Sequence, residues 1–222
     1  MRPSSERMTM PVADGVARED ESLVTVLGLA GSPRRHGNTE TLLDWCLDGA
    51  RAEGADVVKF RLCELDLHDC RACDGCWKDG SCIVDDDMGR LYPYLRTADA
   101  IVLAAPTYFM GMTAVAKMMV DRCQCFWALK YVLKRPLRRP GSPERLGAYL
   151  SCSGTTQPRA FDGGREVMKS LWHVLEVTAA GELLVSGVDA KGEIAGRIDA
   201  REKAEAIGRR LARGQRLEKE ER

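Results

Sequence analysis

The sequence predicts an α/β protein built around a five-stranded parallel sheet with helices on both faces. Short apolar runs alternate along the chain with amphipathic stretches, and strands that alternate with helices form a parallel sheet covered on both sides. The 222 residues provide enough interior for such a sheet and its helices. Three polar, glycine-containing loops follow predicted strands, at the edge where sheets of this kind bind their ligands.

Each strand and helix of this arrangement can be placed on the sequence. Apolar runs predict strands at 23–30, 100–105, 146–150 and 182–188, and alternation of apolar with charged residues predicts another at 56–62. Apolar residues at three- and four-residue spacing predict helices at 39–53, 85–95, 113–127 or beyond, 164–175 and 199–211. The acidic run Asp85–Asp87 is expected in the first turn of the second helix, where it suits the helix dipole.

One domain is predicted, over residues 22–213. Residues 1–21 are mostly polar, lack the apolar core of a secretory signal and are expected to form a flexible tail; residues 214–222 are expected to form a charged, frayed end. Lysine plus arginine equal aspartate plus glutamate at 33 each, so no overall field favours nucleic acid or an anionic membrane. No apolar run reaches the length of a membrane span. A cytoplasmic location is therefore expected.

The stretch from Gly28 to Thr39 connects the first strand to the first helix and has the composition of a phosphate-binding loop. Its glycines allow backbone N–H groups to turn inward, and the following helix contributes unpaired donors and the positive end of its dipole. Ser32, Asn38 and Thr39 add side-chain donors, and Arg34 and Arg35 add charge. The spacing lacks the Walker lysine and the G-x-G-x-x-G pattern, which disfavours an ATPase, a GTPase or a dinucleotide fold. The alternative is an ordinary strand-to-helix connection.

Two further loops suit a planar ligand. The loop after the third strand, 106–111, offers the aromatic pair Tyr108 and Phe109, and the loop after the fourth strand, 151–155, offers small residues whose backbone a flat ring can approach closely. A phosphate site beside two such loops suggests a mononucleotide, and FMN fits. The alternative for the aromatic pair is packing beneath its own loop.

Nine cysteines are many for a chain with no export signal, and four of them form the compact run Cys70-x2-Cys73-x2-Cys76-x5-Cys82. Four thiolates can bind zinc or an iron–sulfur cluster. Structural zinc sites usually join two separated cysteine pairs, whereas a compact run is typical of a cubane cluster, which favours the cluster. Zinc, or a motif that has lost its metal, are the alternatives. The other five cysteines are predicted to be small buried hydrophobes: Cys46, Cys63, Cys123, Cys125 and Cys152.

Gly-Ser-Pro-Arg-x-x-Gly-Asn-Thr after the first strand and Ala-Pro-Thr-Tyr-Phe after the third resemble the NADPH-dependent FMN reductase family, over about residues 22–190. The resemblance implies a flavodoxin-like sheet of strand order 2-1-3-4-5 and a bound FMN. It implies that one set of residues holds the FMN phosphate: Ser32, Arg34, Gly37, Asn38 and Thr39. It implies that a second set flanks the isoalloxazine ring: Pro106, Thr107, Tyr108, Phe109, Gly111, Ser151, Ser153 and Gly154.

The cysteine run narrows the resemblance to the iron–sulfur flavoproteins, which implies one 4Fe–4S cluster bound by Cys70, Cys73, Cys76 and Cys82. The expected function is FMN-dependent electron transfer from NAD(P)H or a ferredoxin-like donor to an unknown acceptor, with no catalytic side chain assigned. One alternative is a cluster-free NAD(P)H-dependent reductase of FMN, quinones or nitro compounds, and another is an electron carrier or redox sensor. The expected partners are a small molecule or a redox protein.

The family also implies a homodimer or homotetramer. The basic, proline-containing segment 130–145, with Tyr131 and Leu137, is a candidate subunit contact, and a solvated loop is its alternative.

Overall fold

The computed structural model describes residues 23–216 and forms one five-stranded parallel sheet of order β2-β1-β3-β4-β5. The strands are β1 (Thr25–Ala30), β2 (Asp56–Arg61), β3 (Ala100–Ala104), β4 (Arg145–Ser153) and β5 (Val177–Ser186). The helices are α1 (Asn38–Ala52), α2 (Met88–Thr97), α3 (Ala114–Arg122), α4 (Gln124–Tyr131), α5 (Asp162–Leu175) and α6 (Ile198–Ala212). The predicted fold class and strand order are confirmed. The predicted tail, 1–21, and residues 217–222 of the predicted charged end lie outside the described residues.

Two layers of helices bury the sheet. One face packs against α1 and α6, and the other packs against α2, α3, α4 and α5. Every residue of β1, β3 and β4 is buried, because these central strands are covered on both faces, whereas β2 lies at one edge and is mostly half-exposed. Within residues 23–216, no helix is both long enough and apolar enough to span a membrane.

The prediction of a single helix over 113–127 is wrong, because the helix is interrupted at Cys123, which separates α3 from α4. The carbonyl oxygen of Arg122 accepts hydrogen bonds from the Tyr92 hydroxyl (3.1 Å) and the Cys125 thiol (3.5 Å) instead of continuing a regular helix. The Arg122 side chain turns toward Asp86. The break therefore follows from contacts with a segment 30 and more residues upstream in the chain.

Three other boundaries differ from the sequence prediction. The strand β4 extends through Ser153 because its last residues keep their ladder with β5, so Ser151 and Ser153 are strand residues and the exit loop begins at Gly154. The strand β5 begins at Val177, five residues before the predicted start, and an irregularity between Gly147 and Ala148 adjusts its register against β4. The run 85–87 precedes α2 rather than forming its first turn.

The segment that follows α4 contacts its own chain. Leu137 is only 4% exposed and packs in the core on the α2–α5 face, so its side chain is occupied within its own chain, and a subunit contact by the segment 130–145 stays a prediction. Tyr131 stacks on His173 and hydrogen-bonds to its ring, and Lys130 donates to the His173 carbonyl at 2.9 Å. Cys63 also departs from expectation, since it is exposed while the other four isolated cysteines are buried.

Candidate functional site

The first predicted ligand loop joins β1 to α1 and folds into a tight turn. The Arg34 N–H donates to the Ser32 hydroxyl at 3.2 Å, and the Gly37 N–H donates to the Arg34 carbonyl at 3.1 Å. A Cβ on Gly37 would lie 3.0 Å from that carbonyl oxygen, a tight contact that a larger residue could make only if the turn shifted slightly. Gly37 is also the N-cap of α1 and offers no side-chain acceptor to the first-turn amides. Those amides remain available to an anion, as at many phosphate sites.

Glu40 lies in the first turn of α1, where its carboxylate would repel a bound anion if its charge were not compensated. Its carboxylate is 2% exposed and accepts from the His36 N–H at 2.7 Å and from Lys59 Nζ at 2.8 Å, with Arg61 Nε 2.9 Å away. Burial favours the protonated acid, but the hydrogen bonds and charges of Lys59 and Arg61 prevail and hold the pKa of Glu40 below its usual value. The carboxylate is thus neutralised from β2.

Two of the predicted phosphate residues connect this loop to a segment that sequence reasoning did not single out. The Asn38 side-chain amide donates to the Ala190 carbonyl at 2.8 Å and accepts from the Ile194 N–H at 3.3 Å. Arg34 Nη1 donates to the Asp189 carbonyl at 2.9 Å. The turn after β5 therefore lies against the loop. Its contacts use the backbone groups of Asp189, Ala190 and Ile194, so the sequence gave no signal for this role.

The second predicted ligand loop is a reverse turn at the end of β3. The backbones of Tyr108 and Gly111 exchange two hydrogen bonds of 2.9 and 3.0 Å, and the two residues between them, Phe109 and Met110, have φ of 49° and 64°. Positive φ is costly for such residues and recurs at functional sites. The Phe109 side chain is fully exposed, and its two apolar neighbours, Tyr108 and Met110, are also exposed. The alternative that Phe109 packs beneath its own loop is wrong.

Hydrogen bonds fix this turn to the end of β4. The Thr107 N–H donates to the Cys152 carbonyl at 2.9 Å, and the Thr107 hydroxyl lies 3.3 Å from the Ser151 hydroxyl. The Ser151 hydroxyl in turn donates to the Ala105 carbonyl at 2.7 Å. The Ser151 hydroxyl therefore connects the end of β4 to the loop through Ala105 and Thr107. Gly154 lies against Asp189, where a Cβ would come within 3.0 Å of the aspartate side chain.

The three loops thus meet at one edge of the sheet. They follow the carboxyl ends of β1, β3 and β4, which are neighbours in the sheet, and the turn after β5 adds a fourth side. Buried polar side chains gather at this edge: Ser32, Asn38, Thr39, Ser151 and Ser153. This position and chemistry make the edge the candidate ligand site.

The cysteine run lies in the long connection between β2 and α2. Cys70, Cys73, Cys76 and Cys82 line one cavity, together with residues of the α3–α4 junction that include Arg122, Gln124 and Cys125. Within the loop, Ala72 and Asp74 have φ of 46° and 57°, and these left-handed residues turn the chain between successive cysteines.

The four thiols are close enough to influence each other. Burial and the charges of the other three raise the pKa of the Cys76 thiol. Among residues 23–216, however, no three His, Cys, Asp or Glu side chains are arranged to hold a metal ion. The four cysteines are thus neighbours around one cavity.

The family model for NADPH-dependent FMN reductases matches residues 24–177, which include β1 to β4, α1 to α5 and all three ligand loops. The chain belongs to the NADPH-dependent FMN reductase family. The family is named for NADPH-dependent reduction of FMN, so FMN is the cofactor that membership implies.

The curated relatives of this family member are named iron–sulfur flavoproteins. One from Methanosarcina thermophila is 30% identical over 141 residues, which cover 64% of this chain and 66% of that protein. One from Methanocaldococcus jannaschii is 36% identical over 97 residues, which cover 44% of this chain and 50% of that protein. The chain therefore spans about half to two thirds of the length of the curated relatives it matches.

Solved structures of the same fold support the architecture. A NAD(P)H:quinone oxidoreductase from Methanothermobacter marburgensis superposes with a TM-score of 0.61 at 17% identity, covering 85% of this chain and 97% of that one. A flavone reductase superposes with a TM-score of 0.63 at 18% identity, covering 86% of this chain and 62% of that one. At such identities the likeness concerns the fold.

Proposed function

We propose that this member of the FMN reductase family binds FMN at the carboxyl edge of its sheet and an iron–sulfur cluster in the cysteine cavity, and transfers electrons between a reduced donor and an acceptor. The observation that carries the proposal is the pairing of two sites in one chain. The uncapped α1 terminus meets two tight loops at one edge, and four cysteines line a separate cavity. NAD(P)H or a ferredoxin-like protein is the proposed donor.

At the flavin site, the chain's part is to bind and to orient. The first-turn amides of α1 and the buried Ser32 and Thr39 side chains suit a phosphate, while Glu40 adds no net negative charge there because Lys59 and Arg61 neutralise it. The exposed residues Tyr108, Phe109 and Gly154 lie at this edge, where a planar ring would be flanked. Bound FMN supplies two-electron and one-electron chemistry, and the surrounding donors tune its potential.

At the cysteine cavity, the donor set fits a cluster better than a single zinc ion. Zinc requires four ligands around one point at about 2.0–2.3 Å. A cluster carries its irons at separate corners and accepts one thiolate at each, and the compact run Cys70-x2-Cys73-x2-Cys76-x5-Cys82 that lines the cavity is typical of that arrangement. The names of the relatives agree with this choice.

Replacing Arg34 with alanine is expected to weaken FMN binding. Loss of a charge-assisted hydrogen bond to the phosphate costs about 1.5–3 kcal/mol, which corresponds to roughly a tenfold to hundredfold higher Kd. The neighbouring Arg35, which pairs with Glu64, provides the matched control, and Arg35→Ala is expected to keep FMN affinity. Fluorescence titration of the FMN-free protein measures both.

Riboflavin, which lacks the phosphate, serves as the second arm of this test. It is expected to bind the native protein weakly and the Arg34→Ala variant equally weakly. Riboflavin that binds the native protein as tightly as FMN would remove the phosphate assignment.

Self-association is proposed as well, on the basis of the exposed turn at 108–111. Tyr108, Phe109 and Met110 form an apolar surface at the rim of the flavin site, of the kind that subunit interfaces cover. Because Phe109 is fully exposed, Phe109→Ser leaves the core intact and is expected to shift sedimentation velocity profiles toward the monomer. A native protein that sediments as a monomer at micromolar concentration would contradict this proposal.

The alternatives make different predictions. A cluster-free reductase would hold FMN and oxidise NAD(P)H but contain neither iron nor acid-labile sulfide. A carrier or sensor would contain the cluster but show no turnover with NAD(P)H as sole donor. Iron and sulfide analysis of anaerobically purified protein, followed by NAD(P)H oxidation assays, separates all three.

A further inference from the structure

Arg122 lies between the cysteine cavity and the rest of the fold, and no sequence pattern singled it out. Its side chain is fully buried, as is that of its partner Asp86. Guanidinium nitrogens contact both oxygens of the Asp86 carboxylate, and Nη2 lies 3.1 Å from one of them. Arg122 also lines the cavity that the four cysteines share.

The same guanidinium reaches both ends of the cysteine loop. Nη1 donates to the His68 carbonyl at 2.9 Å, two residues before Cys70, and Nη2 donates to the Val84 carbonyl at 3.2 Å, two residues after Cys82. Asp86 accepts from the His68 N–H at 2.9 Å and the Met88 N–H at 3.0 Å. The ion pair therefore ties the two ends of the loop to each other and to the α3–α4 junction.

One donor of Arg122 remains unused. Among residues 23–216, Arg122 Nε is buried and has no hydrogen-bond partner. A buried donor without an acceptor is costly unless a ligand provides one. The side chain that carries it lines the cysteine cavity, and so do Gln124 and Cys125 at the N-terminus of α4. Donor and helix terminus together favour a negatively charged group in this cavity.

We propose that Arg122 is a positioning residue for the group bound by the four cysteines: it fixes both ends of the loop, and its Nε–H donates to a sulfur of the bound group. The inference rests on the proposed iron–sulfur cluster. A hydrogen bond to a cluster sulfur stabilises the more negative, reduced state and so raises the reduction potential. Arg122 thereby contributes to both the retention and the potential of the cluster.

The variant R122K tests both roles, because lysine keeps the charge but carries its three donors on one nitrogen, so it lacks the planar fork that spans Asp86 and the two carbonyls, and it has no Nε–H. R145K is the matched control. Arg145 is also fully buried and donates to the carbonyls of Leu95 and Leu175, but it does not line the cysteine cavity. If R122K fails to fold, the double variant R122M/D86N takes its place, because it removes both charges together and leaves no unpaired buried ion.

The first readout uses cluster-free protein and trypsin. Arg71 and Lys78 lie within the loop, so cleavage after them reports whether the loop is held. In R122K, and in R122M/D86N, this cleavage is expected to be at least about tenfold faster than in the native protein, while R145K cleaves at the native rate. Native cleavage rates at both sites in R122K would overturn the positioning role, whether or not the protein carries a cluster.

The second readout uses protein purified without oxygen. In R122K the cluster absorption is expected to decay about tenfold to a hundredfold faster against an iron chelator, as is typical when an outer partner of a metal site is lost. Its midpoint potential is expected to fall below the native value, with R145K unchanged. A native potential in R122K would overturn the hydrogen bond to sulfur. Native protein without iron and sulfide would instead overturn the proposed cluster. The trypsin readout would still test the positioning role, because it uses cluster-free protein.

Discussion

Serine in place of any one of Cys70, Cys73, Cys76 or Cys82 is expected to remove most of the iron and acid-labile sulfide from anaerobically purified protein. A cubane cluster needs one thiolate for each of four irons, and a serine hydroxyl is a harder and poorer ligand for iron. The four cysteines line one cavity, so they should act as a unit. FMN should remain bound, because its loops follow β1, β3 and β4 rather than β2.

Two other cysteines provide controls of different kinds. Cys63→Ser is the cleanest, since this thiol is exposed and its sulfur lies 3.4 Å from the Ser32 carbonyl, outside the cavity. It should keep iron, sulfide and stability. Cys125 lines the cavity from α4, but it lies outside the compact cysteine run and its thiol donates to the Arg122 carbonyl at 3.5 Å, so it is not expected to be a ligand. Cys125→Ser should therefore keep the cluster.

The iron and sulfide contents of these variants distinguish a cluster, a zinc ion and a loop without metal. Zinc would give the same grouped losses but no sulfide and no visible absorption from a cluster. A motif that has lost its metal would tolerate all four serines with no change in metal content. Loss of iron in the Cys125→Ser variant, with retention in one of the four loop variants, would contradict the ligand assignment even if the cluster itself is present.

The sheet and its ligand edge could be predicted because they depend on local patterns. Buried parallel strands such as β3 are short apolar runs, and the loops that follow them contain glycine, proline and small polar residues for reasons that lie within the loop. The φ values at Phe109 and Met110 show the limit of this reasoning. Neither residue type favours the left-handed region, so the turn there could not be predicted from composition.

What could not be predicted depends on contacts between distant segments. At the break at Cys123, the Arg122 carbonyl accepts from Tyr92, 30 positions earlier, and the Arg122 side chain pairs with Asp86, 36 positions earlier, and one sequence shows no sign of either contact. In the same way, Asn38 looked like a phosphate donor, yet its amide binds the backbone of Ala190 and Ile194. A polar side chain near a ligand site can thus hold the site together without facing the ligand.

Alanine in place of Gly208 is expected to be among the most destabilising substitutions in this chain. The helices α1 and α6 pack through two glycines, and a Cβ on Gly208 would lie 1.8 Å from the Cys46 carbonyl oxygen, while one on Gly49 would lie 2.1 Å from the Glu205 carbonyl oxygen. Backbone atoms cannot yield as a flexible side chain does, so the two helices must separate. Overpacking of this kind costs about 3 kcal/mol or more.

Because α1 begins at the FMN phosphate loop, separation of the two helices would also disturb the flavin site. Thermal unfolding of FMN-free protein should show Gly208→Ala melting about 6–12 °C below the native chain, at roughly 2–4 °C per kcal/mol for a domain of this size. Gly89→Ala in α2 is the control, since nothing lies within 4 Å of its added Cβ. That variant should melt at or slightly above the native temperature, because alanine restricts the unfolded chain more than glycine does. Equal melting temperatures for the two variants would show that α1 and α6 do not pack at Gly208.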